Sequence, residues 1–254
     1  LSCDDCPDYE SILNGACSKL RETGEIDYDS LRSFPSILFG LESALLHYKC
    51  GSYSFWNTSF SRGEKGIPIN GLIWMGNTES MQKQIADKLE AGFRCIKLKI
   101  EALNFEEELK VLRSIRSNYS KEELMLRVDA NGAFSPGEAM DKLNRLAELE
   151  IHSIEQPIRN GQWDEMAKLA SISPVPIALD EELIGVNCLT EKKKLLTNIK
   201  PQYIILKPSL HGGLLGAEEW IKEATNLNID WWITSALESN IGLNVIAQWT
   251  ASLD

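Results

Sequence analysis

The sequence predicts an α/β fold with a parallel sheet, closed as a (β/α) barrel. Three observations carry that reading. From residue 67 onward short apolar strands alternate with amphipathic helices, which requires crossover connections and so parallel strands. Seven such strands follow in series, which favours a barrel over an open sheet. Charged residues stand at the C-terminal ends of five consecutive strands, where the functional face of a barrel lies. The length of 254 residues suits one such barrel or two smaller domains, and 43% hydrophobic with 25% charged residues excludes a disordered or fibrous chain.

The elements follow in order. Residues 1–30 read as polar and turn-rich, punctuated by Pro7, Gly15 and Gly24. Ser33 and Pro35 open an apolar-periodic helix through Ile37, Leu38, Leu41, Leu45, Leu46 and Tyr48, which stops before Gly51. The loop at 51–66, with Tyr53, Phe55, Trp56 and Phe60, marks the domain boundary: a partial capping domain at 1–66, then a barrel domain at 67–254. Strands are predicted at 67–74, 93–100, 124–129, 151–155, 177–180, 203–207 and 230–234. The helices after them are predicted at 78–91, 105–117, 135–149, 163–170, 190–197, 217–225 and 240–252. Trp231, Trp232 and Trp249 read as packing residues.

Charge and cysteine content narrow the partners. Against 26 Lys and Arg stand 37 Asp and Glu, a formal net charge of −11, which argues against nucleic acid because phosphate neutralisation needs a clustered basic face. No apolar run reaches the roughly 18 residues of a membrane span, and the opening residues do not read as a signal segment. Cys3 and Cys6 form a lone CxxC without a second pair, so the six cysteines read as reduced thiols of a cytoplasmic protein. His47, His152 and His211 lack acid partners at motif spacing.

The strand ends carry the chemistry. IKLKI ends the second strand with Lys97 and Lys99, RVDAN the third with Asp129 and Asn131, and SIEQP the fourth with Glu155. ALDEE ends the fifth with Asp180 and Glu181, ILKPS the sixth with Lys207, and the seventh runs into SALESNIG with Glu238. A charge at the end of an apolar strand costs several kcal/mol unless paired or metal-bound, so five in register call for a common purpose. Alternation places Lys97 and Lys99 on one face, and Asp129 with Asn131 likewise. Asp129, Glu155 and Asp180 are three hard oxygen ligands with no His or Cys in register, which suits Mg2+ with positions left for water and substrate. A lysine base near neutral pH needs a lowered pKa, which a cation and a second ammonium, Lys97 beside Lys99, would provide. Glu181 and Glu182 can be solvated loop acids, Glu181 equally a functional one, and Gly212-Gly213 either approach a substrate carboxylate or start a helix.

The motifs KLK, DAN, EQP, LDE and LKP, in this order and at these intervals, resemble the muconate-lactonizing subgroup of the enolase superfamily. Within it INGLIWMG, AGFRCIKLKI and TSALESNIGLNVIAQ are most similar to the o-succinylbenzoate synthases. The resemblance implies an α+β capping domain and an enolase-type modified (β/α)7β TIM barrel, both truncated here: no capping strands precede Leu1, and the chain stops at Asp254 before a final strand. It implies a Mg2+ ion, with Mn2+ as a substitute, on Asp129, Glu155 and Asp180, and a small-molecule carboxylate substrate. The implied reaction dehydrates 2-succinyl-6-hydroxy-2,4-cyclohexadiene-1-carboxylate to 2-succinylbenzoate through an enediolate, in menaquinone biosynthesis. Lys99 would be the base, Lys207 would stabilise the intermediate, and Lys97, Asn131 and Glu181 would support them. Gly212, Gly213, Ser235 and Glu238 would meet the substrate. An N-acylamino-acid racemase or dipeptide epimerase of the same superfamily, using Lys99 and Lys207 as opposed acid–base groups, is the first alternative. A non-catalytic fragment that keeps the site is the second.

Overall fold

The computed structural model describes residues 2–74, 76–100 and 104–253. Leu1 and Asp254, the ends on which the expectation of missing strands turns, and Met75 of the INGLIWMG segment lie outside the described residues.

Three helices open the chain: α1 (Tyr9–Thr23), α2 (Tyr28–Leu31) and α3 (Pro35–Cys50). Strand–helix alternation follows: β1 (Gly71–Ile73), α4 (Thr78–Glu90), β2 (Cys95–Lys99), α5 (Phe105–Asn118), β3 (Met125–Asp129), α6 (Pro136–Ala147), β4 (Ser153–Glu155) and α7 (Trp163–Ile172). Then come β5 (Ile177–Leu179), one 3-10 turn at Glu181–Leu183, α8 (Leu189–Ile199), β6 (Tyr203–Leu206), α9 (Gly213–Asn226), β7 (Asp230–Ile233) and α10 (Asn240–Thr250). The strands lie in one sheet in sequence order, β1 to β7, with parallel pairing from β1 through β6, which is the α/β fold expected of an enolase-type barrel chain.

The opening thirty residues correct the sequence reading. They form a four-turn helix, α1, and the short α2. Tyr9, Ile12, Leu13, Ala16, Cys17 and Leu20 recur at helical spacing and pack on Leu31, Ile37, Leu38 and Leu41. No residue of α1 is buried, so the apolar stripe is thin and easily taken for a polar stretch. Gly24 is indeed a punctuation mark, but of a helix: it caps α1 at φ 73° and donates its N–H to Leu20 O at 2.8 Å. β1 is shorter than the apolar run 67–74, because Pro68 in that run has no N–H for a ladder.

The fold divides into two compact units. One holds residues 68–182 and 197–204, so β1 to β5 and the start of β6. Its core includes the strand residues of the sheet face opposite Lys97 and Lys99, among them Ile96, Leu98, Leu126, Val128, Ile154, Ile177 and Leu179, all buried. The other holds residues 1–67, 183–196 and 205–254. There Phe39, Phe55, Val245 and Ile246 form a cluster with Leu46, Leu214 and Ile233. Gln248 of α10 fixes the 51–66 loop: it accepts the Phe55 N–H at 2.6 Å and donates to Tyr53 O at 2.8 Å. Trp249 is buried as expected, whereas Trp231 and Trp232 are half-buried. Among the described residues no helix is long and apolar enough to cross a membrane, and all six cysteines are free.

Candidate metal centre

Strand register brings the acids together. Lys99 pairs with Asp129, and Asp129 with Glu155, so the three side chains emerge on one face of adjacent strands. Glu155 pairs with Ala178, and Asp180 lies two residues further on, which returns it to that face just past the end of β5. Lys97, two residues before Lys99, shares the face, while Ile96, Leu98 and Ile100 are buried on the other.

Asp129, Glu155 and Asp180 are all buried, and one carboxylate oxygen of each lies within 4.8 Å of the others. Lys97 Nζ donates to Glu155 Oε2 and lies 3.1 Å from Asp129 Oδ2. Lys99 Nζ donates to Asp129 Oδ2 at 2.9 Å and to Asn131 Oδ1 at 2.6 Å. Asn131 in turn donates to Glu181 Oε1 at 2.9 Å. Burial acts against ionised Asp129, but Lys97 and Lys99 overcome it and hold its carboxyl below the usual range. At Glu155 burial prevails over Lys97, and the carboxyl is pushed up to about 7. Burial also opposes the Lys97 charge, yet Glu155 and Asp129 hold it well above the ordinary lysine value. Glu181 is raised, first by burial and then by Asp180.

The donor set fits a divalent cation. Glu155 Oε1 is buried without a hydrogen-bond partner, a costly state for a carboxylate oxygen unless something else neutralises it. Three clustered all-oxygen ligands match hard cations and not zinc or copper. The triad can therefore hold a metal ion.

The remaining expected site residues lie in the other unit. Lys207 follows β6, its own N–H donating to His211 Nδ1 at 3.0 Å. His211 is wholly buried and kept neutral, burial pushing its pKa down to about 3; its role at this turn is structural. Gly212 and Gly213 start α9. The Gly213 N–H donates to Pro208 O at 2.9 Å, and the next two helix donors, Leu214 and Leu215, are taken by the Glu42 carboxylate at 2.5 and 3.1 Å. Ser235 is half-buried, and Glu238 accepts from Ser209 Oγ at 2.5 Å and from the Ala236 N–H at 2.8 Å.

Glu182 corrects the reading of a solvated loop acid. It is buried, and its carboxylate accepts from Gln156 Nε2 at 3.1 Å and from the Gly161 N–H at 2.8 Å. Gln156 itself went unnoticed in the sequence. Neither periodicity nor charge marks a glutamine between a ligand and a proline, and only its place beside Glu155 could have drawn attention to it.

Comparison with known proteins adds the family. The family described as Enolase C-terminal domain-like matches residues 80–254. The chain is 51% identical over 248 residues to the o-succinylbenzoate synthase of Desulfotalea psychrophila, covering 97% of this chain and 66% of that protein. It is 24% identical over 181 residues to the N-succinyl-L-Arg/Lys racemase of Bacillus cereus, covering 71% of this chain and 48% of the racemase. The crystal structure of MenC from Desulfotalea psychrophila superimposes with a TM-score of 0.82 at 50% identity, over 97% of this chain and 68% of that one. The chain thus spans between about half and two thirds of the length of these relatives.

Proposed function

Because the chain belongs to the Enolase C-terminal domain-like family, we propose that it carries the catalytic centre of a Mg2+-dependent o-succinylbenzoate synthase. The reaction is loss of water from 2-succinyl-6-hydroxy-2,4-cyclohexadiene-1-carboxylate to give 2-succinylbenzoate. The observation that carries the reading is the placement of Lys99: its ammonium is one hydrogen bond from Asp129, a member of the carboxylate triad. A base so placed reaches the proton α to a carboxylate held at that triad.

Asp129, Glu155 and Asp180 would hold the cation, which when bound supplies electrophilic stabilisation of negative charge on the substrate carboxylate. Lys99 takes the α-proton on Nζ. The carbon–oxygen bond of the 6-hydroxyl then breaks, and hydroxide leaves as water with the proton that Lys99 took, which regenerates the lysine while the ring becomes aromatic. Asn131 orients Lys99 through its 2.6 Å contact and is itself held by Glu181. Lys97 offsets the charge of Glu155 and Asp129. Lys207 takes the stabilising role that the family resemblance gives it, and Ser235 and Glu238 the substrate contacts. In this reading residues 1–66 are part of a capping domain and 67–254 part of the barrel, and the free thiols suit a reducing cytoplasm. The small-molecule product belongs to menaquinone biosynthesis.

Identity of 51% to a synthase against 24% to a racemase favours dehydration over racemisation. The test follows ultraviolet absorbance on addition of the cyclohexadiene carboxylate, with and without Mg2+, and of N-succinylamino acids in D2O. The synthase reading expects Mg2+-dependent aromatisation, abolished by Lys99→Ala while calorimetric Mg2+ binding is retained. Deuterium incorporation without dehydration would replace it by the racemase reading. Undiminished turnover of Lys99→Ala would remove Lys99 as base.

A further inference from the structure

The triad sits at the ends of three separate strands, yet one buried residue touches all three strand ends, two through its side chain and the third through its main chain. Gln156 follows Glu155 directly and is wholly buried. Its side-chain Oε1 accepts the N–H of Asp180 and the N–H of Glu182, both at 3.2 Å. Its Nε2 donates to Ile158 O at 3.0 Å and to the Glu182 carboxylate at 3.1 Å. Its main chain continues the bracing: the N–H donates to Ala178 O at 2.9 Å, and the C=O accepts from Gly132 N–H at 2.6 Å, in the turn that follows Asp129. The amide thus uses both of its donors and both lone pairs within the protein, which fixes its orientation.

The backbone is bent to allow this. Gln156 sits at φ 37° and Asn131 at φ 45°, left-handed conformations that cost free energy for residues with a Cβ. Gly132, at φ 76°, comes so near the next loop that a Cβ there would lie 2.9 Å from Arg159 Cα. Such conformations persist where surrounding bonds over-determine them, and here the bonds converge on Gln156. Methionine, of similar length, could fill the space but make none of the side-chain bonds.

We propose that Gln156 is a positioning residue of the metal centre, holding the strand ends that bear Asp129, Glu155 and Asp180 in binding geometry before any ion arrives. The inference rests on the reading that this triad takes a divalent cation. Outer groups that orient metal ligands typically matter by roughly 10- to 100-fold in affinity. Calorimetric titration with Mg2+ and with Mn2+ tests both statements separately. No binding by the parent protein overturns the metal reading itself. Binding by the parent and a roughly 10-fold or greater loss in Gln156→Met, with its far-ultraviolet dichroism unchanged, supports the positioning role. Equal affinities in a parent that does bind overturn the positioning role and leave the metal reading standing. A variant that fails to fold is replaced by amide hydrogen exchange on the parent. The proposal expects the Asp180 and Glu182 N–H groups, which the Gln156 side chain accepts, to be protected already without metal. Fast exchange that slows only on adding Mn2+ would mean that the ion, and not Gln156, organises the site.

Discussion

Glu155 shows at the scale of one residue what the triad costs and what it is for. Burial pushes its carboxyl up to about 7, with Lys97 opposing and Asp129 adding to the rise. A cation needs the carboxylate form, so protons compete with it. Affinity for Mg2+ or Mn2+ is expected to rise by roughly tenfold per pH unit between about pH 5 and 7 and to level off above, as calorimetry at several pH values would read. A flat profile over that range would exclude Glu155 as the titrating ligand. Stability of the metal-free protein has the opposite sign. The folded carboxyl keeps a proton that the unfolded chain releases above its ordinary value of 4.5, so the Glu155 contribution falls as pH rises from 4.5 through 7. Lys97 does not obscure this, because its raised folded pKa leaves its contribution intact below 10.5.

Glycines decide the signs of effects at the scale of an element. Gly15 lies inside α1 with nothing within 4 Å of the position a Cβ would take. Gly15→Ala is expected to stabilise by up to about 1 kcal/mol, since alanine costs less backbone entropy in a helix. Gly213 begins α9 at φ 75°, and a Cβ there would lie 2.3 Å from Glu42 Oε2, the group that caps that helix. Gly213→Ala is expected to destabilise by about 2 kcal/mol or more, from the left-handed backbone and the displaced carboxylate together. Urea unfolding of the two variants checks both, and equal effects would contradict the geometry. The same two elements mark how far the sequence could be read. Strand and helix positions from residue 67 on were legible because burial on one face imposes a period, and the acids because charges at strand ends break it. Helix α1 was not, since a stripe with no buried residue and a central glycine leaves little period to see. Gln156 and Glu182 were not either, because their contribution is a set of hydrogen bonds between loops, and neither composition nor spacing records those.

At the scale of the whole molecule the acidic balance becomes a competing explanation. With a formal charge of −11, any cation stabilises the folded chain somewhat by relieving self-repulsion, so metal-induced stabilisation alone does not locate a site. A specific site differs in its dependence on concentration. At about 100 times the dissociation constant a single bound ion adds about 2.7 kcal/mol, and roughly 5–10 °C in melting midpoint for a chain of this size if it melts cooperatively. Screening instead follows ionic strength and is indifferent to the identity of one buried acid. Melting curves with Mg2+ against NaCl at matched ionic strength should therefore show a saturable extra shift in the parent protein. Glu155→Gln should lose that extra shift while keeping the response to NaCl. The amide removes a buried carboxylate whose ionisation burial opposes, and Lys97 keeps Asp129 as its partner at 3.1 Å, so the variant should remain folded without metal. An equal Mg2+ shift in parent and variant would assign the stabilisation to the acidic surface and leave the triad without an ion.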